Sequence, residues 1–280
     1  MARRTAQADA AAIDRFVTEI DRDGLLKAIG NPWTQRMFDG PFYASAAAAD
    51  FPATNLVFVR SREGNTAAAD PSTLGGGEAD KHLIYEGLSR VAADAVLGGA
   101  GTIRGGGIVL SVWKRELVEL RASLGLPRHP TQIVATLEGL DLGRGLMFNT
   151  PDIRVIVIAT QRGVETMRSG IAARPWISAV TMERPSDLVW AFRELRRRGV
   201  GRLSCIGGRM LAGAVLDAGL VQDLYLTTSA KSAGEPDSPF YRKPLTTELV
   251  VRKHGTGADE GVVFEHLLVR QSPTRPSSPP

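Results

Sequence analysis

Between Asn55 and Ser229 the chain alternates short apolar, β-branched runs with amphipathic stretches. The runs NLVFVR (55–60), DAVLGG (94–99), TQIVAT (131–136), RVIVIAT (154–160), WISAVTM (176–182), RLSCI (202–206) and DLYLTTS (223–229) have the length and residue types of buried strands. Helical spacing fills the gaps, at roughly 78–91, 111–123, 163–172, 185–198 and 208–218. Strand and helix in turn predict an α/β fold with a mostly parallel sheet and helices on its faces. Residues 245–270 break the pattern, because two apolar runs there are joined by a polar, glycine-containing turn with no helix. A C-terminal antiparallel hairpin is expected, which makes the sheet mixed.

The chain ends read differently. In 8–29, Ile13, Phe16, Val17, Ile20, Leu25 and Ile29 fall at largely helical spacing, interrupted near Gly24, which predicts an amphipathic helix or helix pair. Residues 31–51 are irregular, broken by Pro32 and Pro41, and rich in aromatics that need a surface to pack on. The expected organisation is therefore a helical and irregular extension (1–50), a main domain (51–270) and a disordered tail, QSPTRPSSPP (271–280). The extension and the hairpin are both candidate interface material, so a homodimer is expected.

Composition narrows the function. With 280 residues, 43% hydrophobic and 23% charged, the chain can bury a sizeable core. Its net charge of +4 is scattered, which suits a small anionic ligand as well as it suits nucleic acid. The basic helix at 187–202 has no aromatic platform or recognition motif beside it, so no nucleic-acid partner is expected. No apolar run is long enough to span a bilayer and no secretion signal is present, so no membrane partner is expected. The single cysteine, Cys205, excludes an internal disulfide and suits a reducing cytoplasm, where it is expected as a buried thiol. His82, His129, His254 and His266 lack ligand spacing, so no metal site is expected.

Two strand-to-helix turns carry the candidate chemistry. After the second run come Gly99, Ala100, Gly101, Thr102 and Arg104; after the sixth come Gly207, Gly208, Arg209 and Met210. Small residues let backbone N–H groups approach an anion, and a following helix adds its positive end. The first turn is not a dinucleotide fingerprint, since Arg104 stands where the third glycine belongs and no acid follows at the required distance. Relief of crowding in a loop is the competing reading, above all for Gly105, Gly106 and Gly107.

Three segments in order resemble the reductase domain of bacterial riboflavin biosynthesis: Ser61-Arg-Glu-Gly64, ADAVLGGAGTIR (93–104), and IGGRMLAGAVLDAGLVQDLYLTTS (206–229). The resemblance covers about residues 55–270 and implies a dihydrofolate reductase-like fold that uses NADPH. Carried over by position, Gly99, Ala100, Gly101 and Thr102 would hold the cofactor on one side, and Gly207, Gly208, Arg209 and Met210 would face its pyrophosphate. Thr136 and Thr160, at strand ends, are further cofactor candidates, and Arg104 and Arg162 are candidates for the ribose 2′-phosphate. On the substrate side the resemblance implies Ser61 and Arg90, with Trp113 where the family carries a basic residue; a packed core tryptophan is the alternative. The family's other substrate charges fall at Asn65, Gly106 and Ile206, which implies an altered substrate, a small pyrimidine- or pterin-like heterocycle rather than the riboflavin precursor.

A reductase of this type moves hydride from reduced nicotinamide to an electrophilic carbon and needs no nucleophilic side chain. Glu63 is the candidate catalytic acid, with water as the alternative donor and a solvated turn residue as the other reading. The competing function is a nucleotide- or flavin-binding protein that keeps the cofactor site without catalysis.

Overall fold

A computed structural model describes residues 1–22, 24, 26–103 and 109–270; Arg104, Gly105 to Gly107 and the tail at 271–280 lie outside the described residues. The chain begins with α1 (Ala2–Ala10), β1 (Phe16–Asp21), β2 (Lys27–Ile29), α2 (Pro32–Met37) and β3 (Phe42–Ala44). The alternating region follows: β4 (Ala53–Arg60), a helical turn α3 (Gly77–Ala79) that runs on as a π-helix (Asp80–Leu88), β5 (Ala95–Gly99), α4 (Ala100–Ile103) and α5 (Arg115–Ser123). Next come β6 (Thr131–Thr136), β7 (Val155–Thr160), α6 (Gln161–Ala172), β8 (Ile177–Met182), α7 (Leu188–Arg197), β9 (Arg202–Cys205), α8 (Arg209–Asp217) and β10 (Asp223–Thr228). The hairpin β11 (Thr247–Gly255) and β12 (Val263–Val269) closes the domain.

Among the described residues, ten strands form one sheet in the order β1-β11-β12-β10-β4-β9-β5-β6-β7-β8. The run from β10 to β8 is parallel throughout, and β12, β11 and β1 add antiparallel strands at one edge. Strands buried on both faces need consecutive apolar residues, which is why the central runs do not alternate with polar ones. Val57, Val96, Val134 and Val157 face a core shared with Leu83, Ile84, Leu117 and Met167. Leu56, Leu97, Ile133 and Ile158 face the opposite core, with Phe192 and Val215. Among the described residues no helix is long and apolar enough to cross a membrane.

The N-terminal helix expected over 8–29 is not found: α1 ends at Ala10, and Phe16–Asp21 is a strand paired antiparallel with β11. The misleading signal is a spacing of four, as between Phe16 and Ile20, which puts two residues on one side of a helix and equally on one side of a strand. Tertiary context decides the matter, because β1 covers an otherwise open sheet edge. Phe16 is fully buried against Phe38 and Phe264, with ring centroids 6.1 and 6.4 Å away.

The aromatics at 31–51 are likewise used within the chain. Asn31 caps α2 in a reciprocal pair with Thr34, with Pro32 at the first helical position, and this places Trp33 and Phe38 in the core. Phe42 and Tyr43 are also buried, and Tyr225 Oη donates to the Tyr43 carbonyl at 3.2 Å. Buried Asp223 holds the next segment, accepting from Ser45 Oγ at 2.9 Å while His266 Nε2 lies 2.8 Å away. The extension and the outer edge of the hairpin thus pack on one another within the chain.

Lys253, on β11, is fully buried under this extension. Its Nζ donates to Thr18 Oγ1 at 2.7 Å and to the Asp39 carbonyl at 3.0 Å, and lies 4.4 Å from the Phe38 ring centre. Burial pushes its pKa down to about 8, against the pull of Asp21 and Asp39. Because the folded state releases this proton before the unfolded chain does, stability should rise with pH between about 8 and 10.5. Denaturant unfolding of the native protein and of Lys253→Met at pH 7.5 and 9.5 should show the difference moving toward the native protein, by up to about 1.4 kcal/mol per pH unit. A difference that stays constant with pH would show that the buried ammonium is not destabilising.

Candidate functional site

The candidate site follows from the shortness of β9. Its Cys205 is the last residue in register with both neighbours, opposite Leu56 on β4 and Leu97 on β5. β4 runs on to Arg60 and β5 to Gly99, so the two outlast the strand between them. A cleft results at the C-terminal ends of the parallel strands, floored by Ile206, whose N–H donates to the Leu97 carbonyl at 2.9 Å. It lies where strand order switches, with the π-helix on one face of the sheet and α8 on the other.

Both glycine turns open on this cleft, but their glycines differ. A β-carbon on Gly207 would stand 2.6 Å from the Leu211 side chain, so this glycine lets α8 pack against the turn. At Gly99 the contact with Leu211 is an ordinary 3.9 Å, and at Gly101 and Gly208 a β-carbon would meet nothing within 4 Å among the described residues. Gly208 is the N-cap of α8 and supplies no side-chain cap, which leaves the first N–H groups of the helix available to an anion. Gly101, Gly208, Arg209 and Met210 are exposed, Met210 to 92%, and Ala100 and Thr102 are half-buried. Backbone that is open, uncapped and paired across one cleft fits a dinucleotide phosphate.

The two threonines are occupied elsewhere. Thr136 Oγ1 donates to the Gly139 carbonyl and accepts from the Gly139 N–H, closing its own turn. Thr160 caps α6 through the Gly163 N–H and donates to the Leu137 carbonyl. Both lie at strand ends, but their hydroxyls hold loops.

Glu63 is not placed to be an acid. Its carboxylate accepts from Ser232 Oγ and from Ser61 Oγ, and these bonds, with nearby Arg62, hold its pKa below the ordinary carboxylate value. It therefore stays ionised, as part of a seam in which Thr66 donates to the Ser238 carbonyl and the Glu235 N–H to the Ala67 carbonyl. Ser61, fully buried, belongs to the same seam rather than to a substrate surface.

Arg90 and Trp113 lie at the other end of the sheet. Arg90 precedes β5, is buried over the Tyr85 ring at 3.7 Å and donates to the Ser111 carbonyl. Trp113 is buried beside Arg128 and His129, the residues that lead into β6. His129 there is pushed down to about 4 by burial and then by Arg128 and Arg121, so its ring is neutral near neutral pH. Trp113 is a core residue, and neither it nor Arg90 joins the glycine turns. Cys205, beneath the cleft, is buried and its thiol is pushed up to about 12 by burial, which leaves it inert.

The sequence reading missed a polar pair beside the cleft. Asp80 opens the π-helix after Gly75, Gly76 and Gly77, and Thr227 lies on β10 opposite Val59. Thr227 is fully buried, and its Oγ1 and Asp80 Oδ1 are both sealed from solvent, with no partner beyond each other among the described residues. Burial raises Asp80 to about 7, opposed by the Thr227 hydroxyl and reinforced by Asp259 in the hairpin turn. A π-helical stretch often marks a functional position. Asp80 also depends on its glycines, since a β-carbon on Gly76 would stand 2.8 Å from its carboxylate, and Gly75 and Gly77 have φ of +90° and +73°. Among the described residues no cluster of side chains suits a metal ion.

The family model of the RibD C-terminal domain matches residues 57–262. The chain belongs to that family. Among solved structures, a pyrimidine reductase-like protein from Corynebacterium diphtheriae is 22% identical with a TM-score of 0.62, over 79% of this chain and 93% of that one. RibD from Acinetobacter baumannii is 16% identical with a TM-score of 0.59, over 79% of this chain and 59% of its own. The bifunctional deaminase/reductase of Thermotoga maritima is 17% identical with a TM-score of 0.55, over 79% and 57%. The chain thus spans under two thirds of the last two proteins. A search of curated proteins finds no match. The dihydrofolate reductase-like fold, with its mostly parallel sheet and C-terminal hairpin, is shared with these RibD-type reductases.

Within this RibD C-terminal domain, two of the positions at which the resemblance implied substrate charges, Asn65 and Ile206, are structurally occupied. Asn65 accepts from the Ser238 N–H and donates to the Ala233 carbonyl, and Ile206 is buried in the cleft floor. The two central glycines of the second turn can be told apart by stability. Gly207→Ala should destabilise by about 1–3 kcal/mol through overpacking on Leu211, while Gly208→Ala should stay within about 0.5 kcal/mol. Chemical denaturation of both variants checks this; equal effects would contradict the assignment of Gly207 to packing.

Proposed function

We propose that this RibD C-terminal domain is an NADPH-dependent reductase that passes hydride to a small pyrimidine- or pterin-like heterocycle other than the riboflavin precursor. The observation that carries the reading is the pair of open turns, Gly99 to Thr102 and Gly208 to Met210, on one cleft at the C-terminal strand ends. The family membership and the likeness to a pyrimidine reductase-like protein and a bifunctional deaminase/reductase support it.

When bound, the reduced nicotinamide would supply hydride from its C4. The chain's own part is to hold, orient and dry. The N–H groups at the start of α8 would take the pyrophosphate, with the Arg209 side chain adding charge, and Gly101 and Thr102 would close over it from the β5 side. Ile206 and the apolar face of Val59 would wall the reacting end against water. A neutral residue at Asn65, where the resemblance implies a cation, would disfavour an anionic ribosyl phosphate, which supports a smaller substrate.

Gly208→Asp should separate cofactor binding from folding. Aspartate is a good N-cap, so stability should hold or rise by a few tenths of a kcal/mol, while the new charge should weaken NADPH binding roughly 10- to 100-fold through repulsion of the pyrophosphate. Fluorescence titration with NADPH measures the affinity, and thermal melts measure the fold. Unchanged affinity would contradict the proposed cradle. In the same preparations Glu63→Gln should leave NADPH oxidation with pterins or pyrimidines within about twofold, as expected of a loop brace outside the chemistry. NADPH binding without turnover on any pterin, pyrimidine or flavin would instead favour a non-catalytic binding protein.

A further inference from the structure

A helix leaves its first N–H groups without intrahelical partners, and a side chain at the residue before it ordinarily takes one of them. The π-helix runs on from α3, whose N-cap is Gly76, which has no side chain to offer. The acceptor comes from the other end of the chain: Asp259, in the turn between β11 and β12, takes the Ala79 N–H. Ala79 is the third residue of the helix, the position that an N-cap side chain would reach. The turn that carries Asp259 is held in place by the N-terminal extension. Asp14, between α1 and β1, accepts from the Ala258 N–H at 2.8 Å, and the Arg15 carbonyl accepts from the Thr256 N–H at 3.1 Å and from its hydroxyl at 2.8 Å. The backbone is shaped to admit both acids. A β-carbon on Gly77 would stand 2.0 Å from the Asp259 carboxylate, one on Gly257 2.6 Å from the Asp14 carboxyl carbon, and one on Gly255 2.4 Å from the Asp259 carbonyl oxygen. Gly77 and Gly257 also have φ of +73° and +62°, which glycine adopts without strain.

We propose that Asp14 and Asp259 are positioning residues, a two-step clasp through which the N-terminal extension fixes the head of the π-helix beside the cleft. This rests on the reductase reading and gives the extension a part in it, since Asp14 lies outside residues 57–262 that the family model matches. The clasp reaches the cleft at Asp80, the residue directly after Ala79. Facing Asp259 are Asp14 from the extension and Glu78 and Asp80 from the helix, with Lys81 and His82 paired to Glu78. Facing Asp80 are Thr227 from β10 and Asp259 from the hairpin turn. Burial and then Asp14 raise the Asp259 pKa, against the pull of the Ala79 N–H. Burial brings Asp80 to about 7 against the Thr227 hydroxyl, and the nearby Asp259 charge favours its protonated form further. The clasp therefore sets both where the Asp80 carboxyl stands and when it ionises.

Amide hydrogen exchange at Ala79, Asp80 and Lys81, with an NMR titration of the Asp80 carboxyl carbon, tests the clasp in the full chain. Asp259→Ala removes the acceptor and should speed exchange at these amides at least about tenfold relative to the core strands. Asp14→Ala should speed it about threefold, together with exchange at Ala258. Asp259→Asn keeps an acceptor and drops the charge, so exchange should stay within about twofold of the native rate, while the Asp80 midpoint should fall below about 7. NADPH affinity should change less than about twofold in all three variants, whose sites lie apart from the glycine turns. In NADPH oxidation with a pterin or pyrimidine, Asp259→Ala should lower kcat at least about fivefold with the KM for NADPH within about twofold. Native exchange at the helix head in Asp259→Ala, a rise shared equally by the core strands, an unmoved Asp80 midpoint in Asp259→Asn, or an unchanged kcat would each overturn the proposal. Should Asp259→Ala fail to fold, Asp14→Ala and Asp259→Asn, which both keep an acceptor for Ala79, decide it. Failure of the reductase reading shows separately, as absence of NADPH binding, since exchange and titration are read without cofactor.

Discussion

The early end of β9 is the constraint on which the rest depends. Four residues of parallel pairing are enough to fix β9 between β4 and β5 through Leu203 and Cys205, but not enough to fill the sheet to its rim. What would have been a fifth and sixth pair is replaced by Ile206 and Gly207, which turn the chain at once into α8. Had β9 run on, its backbone groups would have been paired with β4 and β5 and no ligand edge would remain between them. Leu211 makes the break possible, because it packs beneath Gly207 and beside Gly99 and so binds the two turns into one wall.

Around that break the molecule divides into rigid and functional halves. At the N-terminal strand ends, Arg121 donates to the carbonyls of Arg90, Val91, Ala93 and Pro127, and Gln132 closes on Leu110 and Pro130. Those buried polar groups are largely spent on backbone carbonyls, as stability requires. At the C-terminal ends the start of α8 is uncapped and Gly101 and Gly208 are open.

Much of this was legible in the sequence because it lies in short-range pattern. Every strand expected from β4 to β10 forms within a residue or two of its expected bounds, and the hairpin forms as read, since β-branched runs and turn glycines act locally. The two glycine turns were visible for the same reason. Three things were not. β1 was hidden because a spacing of four serves helix and strand alike, and only the open edge of β11 decides between them. Arg90 and Trp113 looked like substrate residues by position, but only the tertiary fold places them at the far strand ends. Asp80 drew no notice beside Glu63 because nothing local distinguishes one acid in a glycine-rich loop from another. The difference is made by Thr227, 147 positions further on, and by the hydroxyls of Ser61 and Ser232 that keep Glu63 ionised. The cue within reach was Gly75-Gly76-Gly77 directly ahead of Asp80, a backbone shaped to hold one carboxyl.

The central claim is that one dinucleotide is held between the two glycine turns, and amide hydrogen exchange on addition of NADPH tests it most directly. Protection should appear together at Gly101 and Thr102 and at Arg209, Met210 and Leu211, and be absent from the open groove of about 700 Å³ over the N-terminal extension, lined by Ile29, Asn31, Gln35 and Arg36. Protection confined to one turn, or found in that groove instead, would contradict the account.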